Sequence, residues 1–261
     1  MDQTPPTDDP PPLPPTAPAT SLAARLLNVF AAPGEVFEEV KASSASVANW
    51  LAPTLIGAVI GTVGAFIIFS QPAIVQKIHE QQEQMFEQQV KAGKMSQADA
   101  DRALAMAEKF SGPTVLKILG VLGAVVGSFV RLLWWGLVVW LLGRWFLKAQ
   151  FGYVKALEVA GLSSMIAVLG GIVTLLLIVN FGKLTSSPSL ALAISDFDVK
   201  NKAHLLAGAV NVFNFWLVGV MASGLARLAG VPFLRAATVV LGYWLVTELL
   251  VIFTGLRAMG F

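Results

Sequence analysis

The chain has 261 residues, of which 56% are apolar and 13% are charged, with a formal net charge of +2. Because a soluble domain carries about 25% charged residues, this composition predicts an integral membrane protein and argues against a cytosolic enzyme or a nucleic-acid binder. The chain contains no cysteine, which excludes disulfides, thiolate nucleophiles and cysteine-based metal sites.

Residues 1–20 differ in composition from the rest of the chain. They contain eight of the 14 prolines and three aspartates, and neither lysine nor arginine. Such a segment buries too little apolar surface to offset the entropy lost on ordering it. We therefore predict a disordered, proline-rich tail over residues 1–20, followed by a membrane domain over residues 21–261.

An amphipathic segment follows the tail, from Ser21 to Lys41. Pro33 interrupts it and can occupy the first position of a new helix. In the second half, Val36, Phe37 and Val40 share one side of a helical wheel, and three glutamates lie on the other. This pattern predicts a helix that lies at the membrane interface or packs under a helix bundle.

Five apolar segments are long enough to cross a bilayer, which requires about 20 residues. The second is interrupted by Arg131 and the fifth by Glu248, and the second is interpreted as one long tilted helix. The sequence therefore predicts an all-α, polytopic membrane helix bundle with termini on opposite sides. Its predicted spans are residues 48–70, 115–147, 159–181, 205–226 and 236–256.

A second amphipathic region, residues 73–110, separates the first two spans. Its Gln-rich first half ends near Gly93, and Ser96 followed by Asp99 is typical of the start of another helix. This second helix runs to Phe110. The region is therefore predicted to form a helical hairpin between spans one and two.

The short connections indicate the orientation of the bundle. Residues 143–158 and 227–235 carry five positive charges, whereas residues 71–114 and 182–204 carry eight, diluted by eight acidic residues. Cytoplasmic loops are enriched in lysine and arginine. We therefore expect a cytoplasmic N-terminus and an outside C-terminus.

Few residues have the type and spacing needed for catalysis. All aspartates lie in the tail or in predicted loops, and His79-Glu80 lacks the second histidine of a zinc-binding helix. His204 stands alone at the start of span four. We therefore expect no catalytic residue, no cofactor and no metal site.

Arg131 and Glu248 are charges at predicted membrane depth, where a charge is costly and usually faces a partner. Arg131 precedes Arg144 by 13 residues, and Glu248 follows Arg235 by 13. At 1.5 Å per residue, both charges lie about 20 Å from the same side. The sequence therefore predicts an Arg131–Glu248 ion pair that fixes helix order, with a polar path for an ion or substrate as the alternative.

Small residues recur at helical spacing in the first two spans. Such faces let helix backbones approach closely in a membrane. We therefore predict helix-packing positions at Gly57, Gly61, Gly64, Gly123 and Gly127.

The serial order of several weak motifs resembles bacterial members of the Yip family (Ypt/Rab-interacting protein, with the Yip-one domain). The matching segments are LLNVFAAPGEVFEEVKASSASVANWLAPTLI, GKMSQADADRALAMAEKF, FGYVKALEVAGLSSMIAVLGGIV and NVFNFWLVGVMASGLARLAGVPFLRAA. The resemblance covers nearly all of residues 22–256. It implies five spans, a cytoplasmic N-terminus, an outside C-terminus and a location in the bacterial inner membrane. It also links eukaryotic relatives to Rab-type GTPases and to vesicle formation between the endoplasmic reticulum and Golgi.

The sequence therefore favours a non-enzymatic membrane scaffold, adaptor or bilayer-shaping protein. The alternative is a small transporter or channel component in which Arg131 and Glu248 line a polar path. The prolines of this chain lie near span ends, whereas transporters use helices broken within the span. The position of the prolines therefore counts against a transporter. A third possibility is an enzyme subunit completed by a partner. The expected partners are the lipid bilayer and an unidentified protein, with a second copy of the chain as an alternative, and no nucleic acid.

Overall fold

The computed structural model describes residues 20–255, so the predicted tail lies outside the described residues except for Thr20. Within this range the chain forms helices and no extended strand, which confirms the all-α prediction. One short 3-10 helix spans Leu190–Ala193. The α-helices are α1 (Leu22–Ala31), α2 (Pro33–Ala42), α3 (Ala48–Phe69), α4 (Pro72–Lys91), α5 (Gln97–Phe110), α6 (Pro113–Trp145), α7 (Tyr153–Phe181), α8 (Lys202–Ala209), α9 (Val212–Ala229) and α10 (Phe233–Thr254).

Five of these helices, α3, α6, α7, α9 and α10, are long and apolar enough to cross a membrane. They contain 22, 33, 29, 18 and 22 residues respectively. At 1.5 Å per residue, their lengths range from about 27 Å to about 50 Å. The predicted number of spans is confirmed, and α7 begins six residues before its predicted start.

The fourth span differs from its predicted bounds of residues 205–226. The helix is interrupted near Val210, so that α8 ends at Ala209 and α9 begins at Val212. Asn211 caps α9, because its side-chain oxygen accepts a hydrogen bond from the Phe213 N–H at 2.9 Å. Its backbone also forms a β-bridge to Ser189. A polar cap inside an apolar run therefore divides one predicted helix into two.

The helical hairpin between the first two spans is confirmed as α4 and α5. Gly93 has a φ of +66° just after α4, a conformation that glycine adopts without steric cost. Ser96 caps α5 by accepting a hydrogen bond from the Asp99 N–H at 3.2 Å. His79 lies 3.0 Å from the carbonyl oxygen of Ser111, and this contact joins α4 to the end of α5.

Helices α1 and α2, here called the N-terminal platform (Leu22–Ala42), pack against the end of the bundle. Pro33 is the first residue of α2, as predicted. Val29, Val36, Phe37 and Val40 are fully buried in one hydrophobic cluster with side chains of α6, α7, α9 and α10. Of the two predicted positions for this segment, the structure has the one packed under the bundle.

Close helix contacts surround α7 where it meets the platform and α3. A Cβ atom added at Gly161 would lie 2.4 Å from the Trp50 Cα atom, so the backbones of α7 and α3 nearly touch there. A Cβ atom at Gly224 of α9 would lie 2.5 Å from Val159 of α7. Neither position has room for a larger side chain unless a helix moves.

Candidate functional site

Arg131 and Glu248 are not joined by a salt bridge among the residues that the structure describes. Arg131 lies on α6 and lines a groove against α3 and α7. Glu248 lies on α10 and is half-buried. The Arg131–Glu248 ion pair stays a prediction, and Glu248 is not among the residues that line the groove of Arg131.

Rotation around the two helices bears on whether these side chains can meet. Helices α6 and α10 meet where the rings of Trp135 and Tyr243 pack edge to face, with centroids 5.9 Å apart. Arg131 precedes Trp135 by four residues, and Glu248 follows Tyr243 by five. Because the two helices are antiparallel, both residues lie about 6 to 8 Å from the ring contact in the same direction. Five residues, however, rotate Glu248 by about 140° around α10 from the side that contacts α6.

A different charge is buried in the bundle, and sequence reasoning passed over it. Glu158 lies in the second turn of α7 with its side chain 0% exposed. It stands at the edge of the predicted third span, beside Lys155, where a solvated loop was expected. Its i,i+3 spacing from Lys155 is the one signal in the sequence that pointed to a pair.

The Glu158 carboxylate has partners on both oxygens. Oε1 accepts hydrogen bonds from the Ser46 backbone N–H at 2.9 Å and from Asn49 Nδ2 at 2.8 Å. Oε2 lies 3.0 Å from Lys155 Nζ. Within residues 20–255, Oε2 has no hydrogen bond of acceptable angle, so its contact with Lys155 is an ion pair without an aligned hydrogen bond.

This network extends from α7 to the N-terminal platform. Lys155 Nζ donates hydrogen bonds to the backbone carbonyls of Val40 and Ser43 at the end of α2. Arg25 of α1 donates to Asn49 Oδ1 at 3.4 Å and forms a salt bridge of 3.4 Å with Glu39 of α2.

One polar network thus joins α1, α2, α3 and α7. Because a buried charge without its partner is costly, the network fixes how the platform sits on the bundle.

A groove of about 500 Å³ runs between α3, α6 and α7, with α9 at one end. Its walls are mostly apolar and include many small residues. Arg131 and Trp135 lie toward the platform end, and Phe69 and Gly120 lie at the opposite end. The volume falls within the range of about 300–1,000 Å³ that is typical of small-molecule sites.

The five glycines predicted for helix packing all line this groove. A Cβ atom at Gly61 would lie 3.0 Å from an alanine of α6, and Cβ atoms at Gly57 and Gly64 would lie 3.4 Å and 3.7 Å from side chains of α7. Cβ atoms at Gly123 and Gly127 would meet nothing within 4 Å. The α3 glycines therefore lie at helix contacts, whereas these two α6 glycines leave open space.

Comparison with known protein families gives a match over most of the chain. A family model described as the Yip1 domain matches residues 27–256. The chain belongs to the Yip1 family. Neither a curated protein nor a solved structure matches it. The match runs from the middle of α1 to the residues just beyond α10, so most of the N-terminal platform lies within the Yip1 domain together with all five spans.

In the described part of this Yip1 domain, the features that could bind a partner or ligand are charged side chains and a groove. No group of three or more histidine, aspartate or glutamate side chains in residues 20–255 is arranged to hold a metal ion. The features with definite geometry are the Glu158 network, which fixes the platform, and the groove that contains Arg131.

Proposed function

We propose that this Yip1-family membrane protein is a non-enzymatic scaffold or adaptor whose N-terminal platform binds a protein partner. The observation that carries the proposal is the Glu158 network, which joins the platform rigidly to α3 and α7. An adaptor needs a fixed surface outside the lipid, and the platform supplies one. Leu27 on its outer side is 70% exposed, whereas Val29, two residues later and on the opposite side of α1, is fully buried.

Charge on the platform supports the same role. Glu35, Glu38 and Lys41 lie exposed on the side of α2 opposite its buried valines. Glu38 also forms a salt bridge of 3.5 Å with Arg227 of α9. A mixed surface with one exposed leucine resembles the polar rim and apolar centre of a protein interface.

The proposed orientation places the platform in the cytoplasm and the C-terminus outside, in a bacterial inner membrane. The basic residues of the connections at the platform end support this orientation. Because the chain has no cysteine, single-cysteine labelling tests it directly. In intact spheroplasts, an impermeant maleimide should label Lys94→Cys, while Ser44→Cys should react only after permeabilisation. The reverse pattern would overturn the orientation.

The adaptor role is tested by co-purification from a mild detergent, with the stoichiometry measured by native mass spectrometry. The wild-type protein should carry a partner at a fixed ratio. Leu27→Glu should lose it while keeping the wild-type melting temperature. Val199→Glu, at an exposed position in the connection between α7 and α8, is the matched control and should retain the partner.

Bilayer shaping is a second role that the helix lengths favour. Helix α6 is about 50 Å long and α9 about 27 Å, against a hydrocarbon core of about 30 Å. Unequal spans in one bundle deform the surrounding bilayer. Electron cryomicroscopy of proteoliposomes should show smaller or more curved vesicles as the protein-to-lipid ratio rises, and unchanged vesicles would contradict this role.

A small transporter or channel component is the alternative, and the groove that contains Arg131 is the observation in its favour. It predicts solute-dependent flux by the purified protein in liposomes, reduced in Arg131→Gln. Flux of this kind without any stoichiometric partner would replace the adaptor proposal.

A further inference from the structure

The groove between α3, α6 and α7 is long and narrow. Along α6 its lining extends from Gly120 to Trp135, and along α3 from Pro53 to Phe69. At 1.5 Å per residue these stretches measure about 22 to 24 Å. The groove, with a volume of about 500 Å³, is therefore long enough to hold an extended hydrocarbon chain.

Three hydroxyl groups in the wall of the groove bond to carbonyls of their own helices. The Thr54 hydroxyl donates to the Trp50 carbonyl at 2.6 Å, the Ser164 hydroxyl to Gly161 at 2.6 Å, and the Ser128 hydroxyl to an α6 carbonyl one turn earlier. A lining whose hydroxyls face their own backbones offers little to a hydrated solute. It suits an apolar occupant.

Arg131 is the charged residue in this wall. Its side chain is exposed, and within residues 20–255 it makes no salt bridge. The next residue, Leu132, packs with Leu157 and Ala160, so Arg131 lies close to the level of Glu158 and the platform. A cation at the lipid boundary requires an anion or water, and a guanidinium binds phosphate with two parallel hydrogen bonds.

We infer that the groove binds one acyl chain of an anionic phospholipid and that Arg131 binds the phosphate of its headgroup. The distance from Arg131 to Gly120, 11 residues or about 16 Å of helix, matches the length of one leaflet, about half of a 30 Å core. The headgroup then lies at the platform end, and the chain lies against the open faces of Gly123 and Gly127.

This arrangement explains two features together. Glycines with no neighbour within 4 Å leave a gap that close packing would normally fill, and a lipid chain fills it. An arginine without a salt bridge in the described part of the chain obtains its counter-charge from the same lipid. The occupant is therefore an amphiphile with one negative headgroup, and its source is the leaflet next to the platform.

The test is native mass spectrometry of the full chain released from nanodiscs that contain equal amounts of phosphatidylglycerol and phosphatidylcholine. The wild-type protein should retain phosphatidylglycerol in preference to phosphatidylcholine. Both lipids carry a phosphate, but only phosphatidylglycerol has a net negative charge for Arg131 to neutralise, so Arg131→Gln should reduce this preference about tenfold. Lys117→Gln removes an α6 charge outside the groove and should leave the preference unchanged.

A second pair of variants tests the chain-binding part. Gly127→Leu places a side chain in the groove at a position where a Cβ atom meets nothing within 4 Å, and should lose bound phospholipid of either type. Gly219→Leu, at an α9 glycine that also has open space, should retain it. If Arg131→Gln fails to fold, Arg131→Lys should keep the preference and Gly127→Leu should still lose lipid. Equal retention of both lipids by the wild-type protein, or a preference unchanged in Arg131→Gln, would overturn the inference.

Discussion

Removing the Glu158 carboxylate should loosen the N-terminal platform from the bundle. The side chain is 0% exposed, and that of Lys155 is 17% exposed. Taking one partner from a buried ion pair costs about 3–5 kcal/mol, because the other charge is left unpaired. Lys155 would keep its hydrogen bonds to the carbonyls of Val40 and Ser43. We therefore expect Glu158→Ala to destabilise the protein by about 3 kcal/mol, at the lower end of that range.

Two further variants separate charge from shape. Glu158→Gln keeps an oxygen that can accept from Ser46 and Asn49 but loses the negative charge, so its cost should be about 1–2 kcal/mol, close to that of one charged hydrogen bond. Adding Lys155→Met to Glu158→Gln removes the unpaired cation. The double variant should be less destabilised than the sum of the single variants by at least about 1 kcal/mol.

The assay combines denaturant unfolding in detergent with hydrogen exchange of the platform amides. Exchange should accelerate in α1 and α2 of Glu158→Ala, while the central part of α7 stays protected. The reasoning is refuted if the free energy of unfolding of Glu158→Ala lies within about 0.5 kcal/mol of the wild-type value. It is also refuted if hydrogen exchange in the platform is unchanged.

Further substitutions probe the helix packing, the cap of α9 and the Arg131–Glu248 pair. Gly161→Ala forces a methyl group against α3 and should lower the free energy of unfolding by about 1–3 kcal/mol. Gly171→Ala, at an open position of the same helix, should change that free energy by less than about 1 kcal/mol. Asn211→Ala removes the cap of α9 and should cost about 1 kcal/mol in the same unfolding assay, and Asn211→Ser should recover most of it. A double-mutant cycle on Arg131→Gln and Glu248→Gln should give a coupling energy below about 0.5 kcal/mol, and rescue by the charge-swapped pair would show that the two side chains meet.

Local patterns in the sequence were sufficient to predict the helices. Apolar length placed the five spans, and the turn at Gly93 with the cap at Ser96 placed the hairpin, because each signal is complete within one segment. The break before α9 was missed. A cap residue such as Asn211 stands inside an apolar run there, and only its contact with Ser189 shows that the helix must restart.

The candidate sites depend on contacts between distant segments, and sequence patterns predicted them less well. Asn49 and Glu158 are 109 residues apart, so the burial of Glu158 follows from how the chain between α2 and α3 packs on α7. The depths of Arg131 and Glu248 could be compared from residue spacing. The directions in which the two side chains point around their helices could not be compared in this way, because the contact between Trp135 and Tyr243 sets how α6 and α10 are rotated relative to each other.

The proposal that the platform is an adaptor surface is tested most directly by photo-cross-linking in living cells. A photoreactive amino acid at exposed Leu27 should yield one discrete cross-linked protein, while the same group at exposed Val199 should not yield that product. The Leu27 product should disappear when Glu158→Ala releases the platform. A chain that gives no product at Leu27, or the same product at both positions, would contradict the account.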